Sequence, residues 1–195
     1  MQALGIIGNG TIAKLQIEQL RKSNFCKTVW IWGRDRTKTQ QLISELSDDM
    51  DIHIAATCAE VAENADVIIT TTAAESPLLF ADDIKAGTLI IAIGSDTQHK
   101  QELASEILQK ADLVIADSIS QSRSRGEIYQ AVKAGAIREE QVVELGKALQ
   151  DPALQEKNST QTIVVDLTGV AVQDIMIATS VFSNLKNKKT VEIYQ

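Results

Sequence analysis

Short, unbroken apolar runs recur along this chain, each followed by a longer stretch with helical spacing. This alternation constrains the fold more than any other feature. Residues 3–7 (ALGII), 29–32 (VWIW), 67–70 (VIIT), 89–93 (LIIAI) and 113–116 (LVIA) read as strands, with weaker runs at 52–55 and 163–165. Runs that are apolar at every position suit strands covered on both faces. Strands separated by helices, here at 11–20, 37–46 and 59–64, point to an α/β class with a three-layer, doubly wound, mostly parallel sheet. Between 120 and 161 the pattern reads as helical turns and loops. GEIYQAVKAGAI forms a helix ended by Gly135, QVVELGKAL forms another, and 151–160 is a surface loop. The polar stretch after Asp96 reads as opening a helix, and 186–195 as a tail or edge strand.

Length and composition bound the function classes. The 195 residues fit one domain at 1–185 plus that short tail, and 44% apolar with 23% charged residues is ordinary for a globular chain. A net charge of -7 argues against nucleic acid or an anionic membrane as partner, and 4% aromatics leave little for a base-stacking surface. No run is long enough to span a bilayer, and MQALGIIGNG lacks the layout of a signal peptide. Cys26 and Cys58 match no metal or redox spacing, so reduced thiols in a cytoplasmic protein are expected.

GIIGNGTIA places Gly8, Gly10 and Ala13 directly between the first strand and the first helix. In this G-x-G-x-x-A pattern the first glycine permits a tight turn and the second clears the approach of a pyrophosphate. The alanine lets helix and strand pack closely, and the helix N-terminus faces the negative charge. At the end of the second strand, WGRDRTK offers no carboxylate at Gly33 where an NAD-selecting residue is expected. It offers Arg34, Arg36, Thr37 and Lys38, donors suited to a 2'-phosphate, so NADP(H) is favoured with NAD(H) as the alternative. Asp35 either binds ribose or caps the following helix. TTTAAESPLL at 70–79 can border a dinucleotide, although Ser76-Pro77 also starts ordinary turns. Asp96 follows the fifth run and reads equally as a cap or as a chemical group. His99 reads as facing water, His53 as packing or surface, and no grouping has metal-site spacing.

IIGNGTIA (6–13), VWIWGR (29–34), ADVIITTTAAESPLL (65–79) and GTLIIAIGSD (87–96), followed by QEL (101–103), GEIYQAVKAGAI (126–137) and DLTGVAVQD (166–174), resemble in order the nucleotide-binding part of the ornithine cyclodeaminase/mu-crystallin family. The resemblance runs over roughly 3–184. It implies an NAD(P)-binding Rossmann fold and hydride transfer involving small amino or imino acids. It implies a catalytic role for Asp96, and cofactor binding by Gly8, Asn9, Gly10, Thr11 and Ile12. It extends that binding to Gly33, Arg34, Asp35 and Thr37 around the adenosine-phosphate corner, and on the nicotinamide side to Thr71, Thr72 and Ala73, to Ile93 and Gly94, and to Thr168 in the loop from Asp166 to Gly169. Family members carry a substrate-binding and dimerising domain ahead of the glycine loop, which here begins at residue 8. The expectation is therefore cofactor binding with little or no turnover until a substrate domain, a partner chain or a homodimer completes the site. The other reading is a non-catalytic NAD(P)-binding sensor or interaction module.

Overall fold

The computed structural model describes residues 3–46, 50–155 and 158–187. The first half alternates as its periodicity demands: β1 (Leu4–Ile7), α1 (Thr11–Lys22), β2 (Thr28–Trp32), α2 (Arg36–Ser44), β3 (Asp51–Ile54), α3 (Cys58–Asn64) and β4 (Val67–Thr70). The second half is more broken: β5 (Glu75–Leu79), β6 (Leu89–Ala92), β7 (Gln101–Leu103), α4 (Ser105–Lys110), β8 (Leu113–Ala116), α5 (Ile119–Ser122) and α6 (Gly126–Lys133). It closes with β9 (Val142–Glu144), α7 (Leu145–Ala148), α8 (Pro152–Gln155), β10 (Ile163–Asp166) and α9 (Ala171–Asn187).

Eight strands form one sheet in the order β3-β2-β1-β4-β6-β10-β8-β9, with every pairing parallel. Alternate side chains feed two apolar layers. Leu4, Ile6, Ile31, Val67 and Ile69 meet Ala13 and Ile17 of α1 and Leu42 of α2 on one face. Ile7, Ile68, Ile90, Val114 and Val164 meet Val61, Ile107 and Ile128 on the other, together with Leu79 and Leu103 of the small parallel β5–β7 pair. Because both faces are covered, strands reading as continuous apolar runs are satisfied.

Three expectations need correction. The chain after Asp96 does not open a helix; it passes through bends into β7, whose three residues pair with β5. QVVELGKAL is not one helix: Val142 pairs with Val114 at the sheet edge before α7 begins. The loop at 151–160 contains the single helical turn α8. Of the tail or edge strand expected at 186–195, residues 186 and 187 belong to the end of α9, and 188–195 lie outside the described residues. Along α9, Val172, Ile175, Met176, Ile177, Val181, Phe182 and Leu185 are all exposed, so apolar groups surround the helix. Among the described residues no helix is long and apolar enough to cross a membrane.

Candidate dinucleotide site

From β1 the strand order runs outward to β2 and β3 on one side and to β4 and β6 on the other. Such a reversal leaves a crevice at the carboxyl ends of the strands. Here it is a cleft of about 520 Å³, with Gly8, Asn9 and Gly10 as its floor. Trp32, Arg34, Asp35 and Lys38 form one wall, and Thr71 to Ala74 with Leu78 form the other.

Gly8 has φ +125, and a Cβ there would overlap the Thr71 hydroxyl. Only glycine makes this turn without strain. Its N–H donates to the Trp32 carbonyl at 2.8 Å, so the turn is pinned between both neighbouring strands. Asn9 Nδ2 donates to the Asp35 carbonyl at 2.8 Å and to Thr39 Oγ1 at 3.0 Å. A side chain at Gly33 would collide with that amide. Asn9 and Gly33 therefore lock the turn to the adjoining corner. Asp35 Oδ1 accepts from the Lys38 backbone N–H at 3.1 Å, which is the capping alternative.

Gly10 differs from these. Its φ of -92 and ψ of -172 suit any residue, and a Cβ there meets nothing within 4 Å. No packing explains a glycine at this place. Its missing side chain leaves open space over the start of α1, which carries neither a side-chain cap nor an acidic residue in its first turn. A shallow extension lined by Thr11, Lys14 and Lys38 continues outward from it. Ile12 and Thr37 are exposed and lie outside the lining of the cleft.

The remaining sequence-derived residues lie along the same sheet edge. Thr71, Thr72 and Ala73 line the cleft directly. Ile93 packs on the apolar layer beneath, and Gly94 donates its N–H toward Glu102 at 3.0 Å. Asp96 stands exposed beyond β6, with its carboxylate 2.6 Å from Lys100 Nζ; it caps no helix. Thr168 is buried and its hydroxyl donates to Asp117 at 3.1 Å, so its side chain does not reach the cleft. His53 stacks on Trp30 with centroids 4.5 Å apart, and His99 is exposed.

Sequence reasoning gave no role to Glu102 or Glu127, which with Asp166 form a group of buried acids behind the cleft. Burial, the largest cause, pushes Glu127 up to about 8 and Asp166 up to about 7, and neighbouring carboxylates add to both shifts. Burial also raises Glu102, against the hydrogen bonds it accepts. The local sequence around Glu102, QEL, carries no signal of burial.

Comparison with known proteins agrees with this geometry. The model of the ornithine cyclodeaminase/mu-crystallin family matches residues 1–189. An uncharacterized cyclodeaminase of Sinorhizobium fredii is 32% identical over 193 residues, covering 97% of this chain and 58% of that protein. The iminosuccinate reductase of Paracoccus denitrificans, solved in complex with NAD+, superposes with a TM-score of 0.84 at 32% identity, over 96% of this chain and 57% of that one. An archaeal alanine dehydrogenase dimer with bound NAD gives 0.86 at 31% identity, over 99% and 61%. The chain thus spans less than two thirds of the length of these relatives.

Proposed function

This chain belongs to the ornithine cyclodeaminase/mu-crystallin family, and from that footing we propose that it is the dinucleotide-binding part of an NAD(P)-dependent enzyme acting on a small amino or imino acid. The observation that carries the reading is the open cradle over Gly10, where no neighbour accounts for the missing side chain and into which any side chain would project. Gly8, Gly10 and the first turn of α1 would hold the pyrophosphate with backbone N–H groups. Arg34 and Lys38 would hold a 2'-phosphate, which favours NADP(H). The NAD bound to both structural neighbours supports NAD(H) as the second reading. When bound, the nicotinamide supplies a hydride acceptor or donor. Asp96, oriented by Lys100, would take or return a proton at the substrate nitrogen. Turnover would require the substrate-holding remainder of a full-length relative. The apolar surface of α9 supports association with further protein, a partner chain or a second copy.

Gly10→Ser tests this directly. Serine is a favoured N-cap, so stability holds or rises slightly, while the side chain occupies the cradle. Calorimetric titration with NADPH, NADP+, NADH and NAD+ should show binding to the parent chain and at least about tenfold weaker binding to the variant. Equal binding by both, or none by the parent, would sink the proposal.

A further inference from the structure

We infer that Glu102 is a positioning residue that sets the nicotinamide-side wall of the cleft, and that Glu127 and Asp166 hold it in place from behind. The inference rests on the dinucleotide reading above and names a residue for which that reading has no use. Glu102 is fully buried in β7, and among the described residues no lysine or arginine bonds it. Its Oε1 accepts from the Thr72 N–H at 2.6 Å. Its Oε2 accepts from the Thr70 hydroxyl at 2.6 Å and from the Gly94 N–H at 3.0 Å. Thr70 ends β4, Thr72 lines the cleft and Gly94 follows β6. One carboxylate therefore ties together the ends of two adjacent strands at the edge where a dinucleotide would lie.

The same device repeats twice behind it. Glu127 Oε1 accepts from the Glu102 N–H at 2.7 Å and Oε2 from the Leu103 N–H at 3.1 Å. Asp166 Oδ2 accepts from the Ile128 N–H at 2.9 Å, seating the start of α6. Gly126 sits against that carboxylate with φ +92, where a Cβ would overlap Asp166. The order is β10 to α6, α6 to β7, and β7 to the cleft wall.

The chemistry explains why acids stand here. Glu102 faces two backbone donors, one on each oxygen, besides the Thr70 hydroxyl. A glutamine has one acceptor and one donor, so it would leave one N–H opposed to its own amide. Burying carboxylates without a cation is costly. A core with no task at this edge could use apolar side chains instead.

Glu102→Gln keeps the side chain's size and loses one backbone bond, from Gly94 or Thr72. Titrations should use NADPH against 2'-phospho-ADP-ribose, and NADH against ADP-ribose, each pair differing by the nicotinamide. Dinucleotide affinity should fall about tenfold while affinity for the nicotinamide-free probe changes less than about twofold. The fluorescence of bound NADPH should change as the ring is held differently. Should Glu102→Gln fail to fold, Thr70→Val removes one bond to Oε2 and should give the same split, smaller in size. Both affinities falling together, or neither falling, would overturn the inference and leave the dinucleotide reading standing. A parent chain that binds no probe overturns the dinucleotide reading, and the inference with it.

Discussion

The two ends of the cleft are built from opposite materials. At the β1–β2 end the groups that line the cleft are backbone, absent side chains and exposed cations: Gly8, Gly10, Arg34 and Lys38. At the β4–β6 end the organising groups are buried acids that touch only backbone N–H groups and hydroxyls. One end would meet a ligand's charge with charge. The other uses charge on its own backbone, so that neutral groups at the cleft stand in fixed positions. The difference shows that a carboxylate beside a binding site can serve geometry rather than contact.

This contrast is open to experiment, and the largest effect expected is on pH dependence. The folded chain raises Glu127 to about 8 from 4.5 and Asp166 to about 7 from 3.8. Between the ordinary and the raised values it therefore holds protons that the unfolded chain has released. Stability is full below the ordinary values and is lost as pH rises through 7 and 8. The unfolding free energy read from urea titrations should fall steadily from about pH 5 to about 8.5. A flat profile would mean that these acids are not buried as described. Glu102, raised by burial as well, adds to the trend.

A smaller loss should follow Glu127→Ala. Two buried N–H groups, of Glu102 and Leu103, would lose their acceptors. Destabilisation on the order of 2–4 kcal/mol at pH 7 should result, read from equilibrium urea unfolding. A loss under about 0.5 kcal/mol would show that water replaces the carboxylate without difficulty. The smallest effect on the fold belongs to the other end. Arg34→Ala should leave the unfolding midpoint unchanged, since the side chain is exposed. It should weaken NADP(H) by about tenfold with NAD(H) unaffected. Equal weakening of both forms would assign Arg34 to the shared part of the ligand.

The contrast also separates what could be read in the sequence from what could not. The glycine turn, its flanking strand and helix, and the basic corner are local, so their residues stand next to one another in the chain. The sheet was legible for the same reason, because burial on both faces writes itself into each strand as an unbroken apolar run. β5 and β7 were invisible: their pairing joins Glu75 to Gln101, and Pro77 within β5 reads as a turn signal. β9 was hidden because VVE has no length of its own and depends on β8 for its conformation. The buried acids were illegible for a further reason. Their partners are backbone N–H groups, which every residue but proline has, so no pattern of side chains announces them.

The position of β10 has a consequence for how the chain is put together in time. Among the described residues this strand is the last in sequence, yet it lies between β6 and β8. β6 and β8 are joined in the sheet only through residues 163–166. Parallel pairings of this reach are slow to form, because long loops must close before they gain anything. Asp166 ends that same strand. The glycine turn at residue 8 can take shape as soon as its own neighbours are present, whereas the wall opposite waits for a keystone strand more than 150 residues further along the chain.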